Sequence, residues 1–323
     1  MTNSRILQLM LTKGIGDAAI KRVFDFLDEE SYLLDDIFES PELFRKAGLK
    51  QDIIERLLST QLKEQGQSMA DELDRNNIRL ITERETQYPQ YLKCRLGKKC
   101  PPILFAKGNI SLLNHAAVGF CGSRKASQKG ISIAADCAKQ LANNNIVVVS
   151  GYAAGTDLAA HRSALMNMGS TVFVLAEGIL RATIKRDIYK LINSENHVFV
   201  SQFLPNTTWN AGNAMKRNGV IIGLSQAMIL VESGKTGGTF AAGEEALRTG
   251  CPLFVIDFSK PEVSAEANPY FIQSGGYPIR GKNGIPNLNK VFAVINDNSE
   301  KANTTPVESS APKGGYEQIK FDL

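Results

Sequence analysis

The sequence predicts a doubly wound, mostly parallel α/β sheet preceded by a small all-helical domain. Three observations carry this expectation. Apolar residues in the first 78 positions recur at helical spacing, with no two-residue alternation. From Ala116 onward, short unbroken apolar runs alternate with helical stretches, as in strands covered on both faces. Three of those runs end in turns rich in glycine and hydroxyl side chains, at the strand ends where wound sheets bind ligands.

The elements follow in order. Ile6, Leu7, Leu9, Met10 and Leu11 form an apolar run that stops at Gly14-Ile15-Gly16. Ala18, Ala19, Ile20, Val23, Phe24 and Leu27 then repeat at helical spacing, and Ser40-Pro41 suits a helix start ahead of Leu43, Phe44, Ile53, Ile54, Leu57, Leu58 and Leu62. About four or five short helices are expected here. Lys13 to Ile20 reads as a helix-hairpin-helix turn that aims backbone N–H groups at a nucleic-acid phosphate, or as an ordinary interhelical turn; Ala47-Gly48-Leu49 is a weaker second copy, lacking one glycine. Ile78 to Ile81 suits a short strand, after which Tyr88-Pro89, Pro101-Pro102 and Gly108 punctuate the chain. Strands are expected at 116–121, 146–149, 171–175, 197–200, 227–231 and 252–256, with helices at 129–143 and 159–168 between the first three. Beyond Ile295 the residues turn to Asn, Ser, Thr, Glu, Lys and Pro, so 296–323 is expected to be a flexible polar tail. The expected division is 1–78 helical, 79–295 Rossmann-like and 296–323 tail.

Composition narrows the function classes. The chain has 323 residues, 43% apolar and 22% charged, which fits a globular protein and excludes a wholly disordered or fibrous one. No window of about 18 uninterrupted apolar residues occurs, so no membrane span is expected. The N-terminus carries no export-signal core, so a cytoplasmic location is expected. Lys and Arg total 37 against 33 Asp and Glu, a net charge of +4 that permits a polyanionic partner without demanding one. The five cysteines show neither CxxC spacing nor nearby histidines; no metal site and no cofactor are expected, and Cys121 and Cys251 read as small core residues.

The candidate chemistry lies in the three turns. They are Gly122-Ser123-Arg124, the stretch Ser150 to Asp157 with Gly151, Gly155 and Thr156, and the stretch Glu232 to Thr239 with Lys235, Thr236, Gly237 and Gly238. Glycine lets backbone approach a ligand, and helix N-termini offer free N–H groups, so each turn suits phosphate. Neither GxGxxG nor the full P-loop pattern is present, so ATP hydrolysis by a P-loop route is not expected. Arg124 and Lys216-Arg217-Asn218 supply cationic and amide groups for phosphate. His161 suits a phosphate contact or a structural hydrogen bond. Trp209, Phe240 and Tyr152 are stacking platforms or core residues.

These strings resemble the DNA-processing protein A family, also called DprA or Smf. The family's Gly-Ser-Arg turn is matched by Gly122-Ser123-Arg124 with Gly130, and its Ser-Gly-x-Ala-x-Gly-x-Asp-x-x-Ala-His string by Ser150 to His161. Asn213, Arg217-Asn218, Gly223-Leu224-Ser225 and Val231-Glu232 match a third fingerprint, and the resemblance covers about residues 80 to 280. It implies a non-enzymatic protein that binds single-stranded DNA, works as a homodimer and hands the strand to the recombinase RecA during natural transformation. Under that resemblance Arg124, Lys216 and Arg217 grip phosphates.

Several positions depart from the family. Thr236-Gly237-Gly238-Thr239 replaces its usual turn, Gly219 stands where a second arginine is usual, and Arg181-Ala182-Thr183 replaces an Asp-containing stretch. The tail is also too short and polar for the winged helix that ends many members. The departures would fit a specialised DNA-binding antitoxin or phage-defence component with a toxin partner. A nucleotide sensor or phosphoribohydrolase is the remaining alternative, from the partial match of Gly237 to Glu245, with Glu244 or Glu245 near the ribose.

Overall fold

In the computed structural model, which describes residues 2–282 and 284–304, six helices open the chain. They are α1 (Thr2–Leu11), α2 (Asp17–Glu29), α3 (Leu34–Glu39), α4 (Glu42–Lys46), α5 (Gln51–Leu57) and α6 (Thr60–Arg75). The surplus over expectation arises from pieces such as α3, too short to show a period; it is held by the Asp36 carboxylate, which accepts the Leu33 N–H at 2.7 Å. Both glycine hairpins form. Gly14 (φ +101°) turns α1 into α2, where Arg56 donates to the Lys13 carbonyl at 2.6 Å, and Gly48 (φ +83°) turns α4 into α5.

The strands are β1 (Arg79–Thr82), β2 (Ile103–Gly108), β3 (Ala117–Cys121), β4 (Val147–Ser150), β5 (Thr171–Val174), β6 (His197–Ser201), β7 (Ala227–Leu230), β8 (Leu253–Ile256) and β9 (Tyr277–Ile279). They form one sheet in the order β1-β2-β6-β5-β4-β3-β7-β8-β9, parallel from β6 through β9, with β2 antiparallel to both β6 and β1. A small hairpin of β10 (Gly281–Lys282) and β11 (Ile285–Pro286) follows. Besides this hairpin, two strands of the large sheet were not expected. β2 hides behind Pro101-Pro102 and ends in Gly108, and β9 carries Pro278, which only an edge strand tolerates.

Two helix layers clothe the sheet. Strand residues alternate between them: Val118, Phe120 and Val148 face α8 (Gln128–Ala142), α9 (Thr156–Met166) and α14 (Asn289–Thr304). Ala117, Val147 and Val149 face α7 (Gln90–Leu96), α11 (Ala211–Leu224), α12 (Gly238–Arg248) and α13 (Asn268–Gln273). A single turn, α10 (Arg186–Tyr189), precedes β6. The six N-terminal helices cover the remaining part of the first face. Leu7, Phe44 and Leu57 share one buried cluster with Ile103, Phe105, Phe173 and Phe199 of the sheet. α14 runs to Thr304, past the expected start of the tail at residue 296; expectations for 305–323 lie outside the described residues. Among the described residues, no helix is long and apolar enough to cross a membrane.

Candidate nucleic-acid interface

β3 lies between β4, which follows it in the chain, and β7, reached only after the chain returns from β6. The loops leaving β3 and β7 therefore part, and a crevice opens at their carboxyl ends. It is a cleft of about 350 Å3, lined by Gly122, Ser123, Arg124, Arg217, Thr236 and Gly238 among others. All three glycine-rich turns meet at this rim. The Ser123 N–H donates to the Glu232 carbonyl at 2.9 Å, and the Thr156 N–H to the Ser123 carbonyl at 3.3 Å. Gly155 (φ +78°) makes this meeting possible: a Cβ there would lie 2.8 Å from the Arg124 carbonyl.

Two of the three expected phosphate cradles are filled by the chain's own carboxylates. Buried Glu232 accepts the Ser127 N–H at 2.8 Å and the Ser127 hydroxyl, and Ser127 caps α8 by accepting the Gly130 N–H at 3.0 Å. Buried Asp157, in the first turn of α9, accepts the Ala153 N–H at 3.3 Å. The start of α12 is open. Gly237 caps it without a side-chain bond, and nothing lies within 4 Å of a Cβ built at Gly234, Gly237 or Gly238. Its first N–H groups and its positive dipole end thus face the cleft.

Arg217 forms part of the cleft floor. It is 6% exposed, its guanidinium lies against Gly151, and among the described residues its Nε has no hydrogen-bond partner. Burial lowers its pKa, while the Asp157 charge opposes that shift; a guanidinium stays protonated in proteins. Burial likewise raises the Asp157 carboxyl, with Arg217 pulling it back. At the mouth, exposed Arg124 sits over the Trp209 ring, Cζ 5.5 Å from the centroid. Asn218 donates to the Gly238 carbonyl at 3.3 Å, tying α11 to α12, and Lys235 pairs with Glu266 at 3.3 Å.

The structure separates the other expected site residues from the cleft. Ser150 is buried and donates to the Phe120 carbonyl at 2.9 Å; Thr156 is buried as well. His161 is 0% exposed, which removes it as a phosphate contact. Its Nδ1 lies 2.6 Å from Thr171 Oγ1, whose own proton goes to the Val148 carbonyl, so Nδ1 is the donor. Lys216 and Arg217 part company: Lys216 lines a different hollow, with Ile15, Gly16 and Asp17 of the first hairpin. Burial raises the Asp17 carboxyl, and Lys216 partly offsets it. Of the aromatic candidates, Tyr152 packs edge-on against Phe173 and Phe240 stacks on Tyr270, whereas Trp209 is 51% exposed. Glu244 accepts from the Tyr270 hydroxyl at 2.9 Å and Glu245 pairs with Arg248; neither lines the cleft, which weighs against the phosphoribohydrolase reading. Cys121 and Cys251 are buried core thiols, and burial pushes Cys251 up to about 11.

Sequence reasoning missed Met215 and Ser264 as lining residues. Trp209 could have been placed in a loop from the residue after it: Asn210 caps α11 by accepting the Asn213 N–H at 2.8 Å.

The chain is 28% identical over 204 residues to the DNA processing protein DprA of Bacillus subtilis (strain 168), covering 62% of this chain and 68% of that protein. It is 30% identical over 177 residues to DprA of Streptococcus pneumoniae (strain ATCC BAA-255 / R6), covering 54% of this chain and 62% of that protein. The X-ray structure of DprA from Streptococcus pneumoniae superposes with a TM-score of 0.69 at 24% identity, over 88% of this chain and 97% of that one. DprA from Helicobacter pylori, described for its single-stranded DNA binding mode, gives a TM-score of 0.55 at 20% identity, over 69% of this chain and 96% of that one. Both share the fold. The family model described as DNA recombination-mediator protein A matches residues 79–287, the whole sheet with its cleft, and the chain belongs to that family.

Proposed function

We propose that the chain binds single-stranded DNA in this cleft and acts in DNA processing and recombination. The observation that carries the reading is one rim holding an exposed arginine, a buried arginine with an unpartnered Nε and an open helix start. Arg124 and the first N–H groups of α12, with Thr236 and Thr239 beside them, take backbone phosphates. Arg217 lies beneath them as part of the floor, its charge partly offset by the neighbouring buried Asp157. Gly122, Ser123 and Asn218 shape the wall, while Gly151, Gly155 and Asp157 hold the arginines in position. The chain is read as a binding protein and not an enzyme, because Glu244 and Glu245 are engaged away from the cleft.

Family membership supports three finer statements: the bound strand passes to RecA, the working form is a homodimer, and the protein acts in the cytoplasm. Residues 1–78 are taken as a helical domain abutting the binding domain that begins at 79. The similarity to DNA-processing relatives does not favour the antitoxin and phage-defence alternative.

Titrating an oligonucleotide across a salt series tests the central reading. About four to six phosphate contacts give a log–log slope near −3 to −4, at about −0.7 per contact for single strands. Arg124→Ala should cost about 1–3 kcal/mol and flatten the slope by about 0.7. A flat response in the wild type, or equal affinity for duplex, would refute it.

A further inference from the structure

Trp209 is the chain's single tryptophan, and half of it stands in water. Among the described residues it has no aromatic partner; its ring is in contact with the Arg124 guanidinium, 5.5 Å from the centroid. Asn210, the next residue, anchors α11, so the indole is held at the foot of a helix and not on a loose loop. Met215, exposed and one turn along α11, lines the cleft. A cationic phosphate ligand thus covers one face of the indole, and half of the residue is left open to solvent beside it.

We propose that Trp209 is a stacking platform for one unpaired base whose phosphate rests on Arg124. The proposal rests on the single-strand reading above and deepens it. Every base has a π-face, so the contact tolerates any sequence; bases inside a duplex are already stacked on each other and present no free face. Selection for single strands then comes from the base at Trp209, while Arg124 recognises charge alone.

The test uses an oligothymidylate, an abasic oligonucleotide of the same length and the intrinsic fluorescence of Trp209. The wild type should bind the oligothymidylate about five- to a hundredfold more tightly than the abasic strand, with quenching by the former alone. Trp209→Ala should erase that preference and leave the salt slope unchanged, and Trp209→Phe should restore most of it. Thermal melts of both variants should match the wild type, since the ring is half exposed. The proposal is overturned if the wild type binds both strands alike without quenching, or if Trp209→Ala keeps the preference. Binding of neither strand overturns the single-strand reading as well, which separates the two failures.

Discussion

Replacing Gly151 with alanine adds one methyl group where the chain has no room for it. The backbone itself accepts alanine, because Gly151 is not among the residues with positive φ. The new Cβ would land on the Arg217 guanidinium, 2.6 Å from Nη2 and closer still to Nη1 and Cζ. Arg217 must therefore move, yet it is buried and its charge faces the buried Asp157. Two magnitudes bracket the cost. Overpacking with the guanidinium kept near Asp157 costs about 1–3 kcal/mol. Expelling the guanidinium and stranding a buried carboxylate costs about 3–5 kcal/mol. A loss of about 2–4 kcal/mol is expected, because the far end of a flexible side chain yields part of the way. Urea unfolding of Gly151→Ala, Arg217→Ala and the double variant measures it. If the clash is with Arg217, Gly151→Ala should cost under about 0.5 kcal/mol once Arg217 is gone. An undiminished cost in the Arg217→Ala background would refute the account, as would a wild-type cost below about 0.5 kcal/mol.

Lys216→Ala should leave oligonucleotide affinity within about twofold and the salt slope unchanged, because its charge lies outside the cleft and is screened over about 8 Å at physiological salt. A loss matching that of Arg124→Ala would return Lys216 to the binding surface. His161 ties stability to pH: burial lowers its pKa from 6.5 to about 3, so the unfolded chain takes up a proton that the fold refuses. Its contribution is complete above about pH 6.5 and drains as pH falls toward 3, by about 3 kcal/mol at pH 4. The unfolding free energy of wild type minus that of His161→Phe should shrink between neutral pH and about pH 4; a constant difference would contradict the buried neutral imidazole.

The central strands were legible because each is an unbroken apolar run buried on both faces, as Val147, Val148 and Val149 show. β2 and β9 were not, because prolines at Pro102 and Pro278 mimic loop punctuation when read without their sheet positions. The site divides in the same way. Its three turns could be read from glycine, but glycine does not say whether a ligand or a neighbouring loop will come close. At Gly155 the neighbour is the Ser123-Arg124 backbone, and at Gly151 it is Arg217. Glu232 closes the start of α8 across 105 positions of sequence, a pairing that local pattern cannot announce. Lys216 and Arg217 adjoin in sequence, yet successive residues on a helix point about 100° apart, which sends one to the hairpin and the other beneath the cleft.

The shared cluster of Leu7, Phe44, Phe105 and Phe173 has a mechanical consequence. No hinge of bare linker parts the bundle from the sheet; the two are welded by a common oily seam. Cutting the chain at residue 79 would strip that seam from Ile103, Phe105, Phe173 and Phe199 and leave a sticky half-protein. The hairpin at Gly14 and the rim at Arg124 are consequently mounted on one chassis, so a strand long enough to touch both would meet them at a fixed distance.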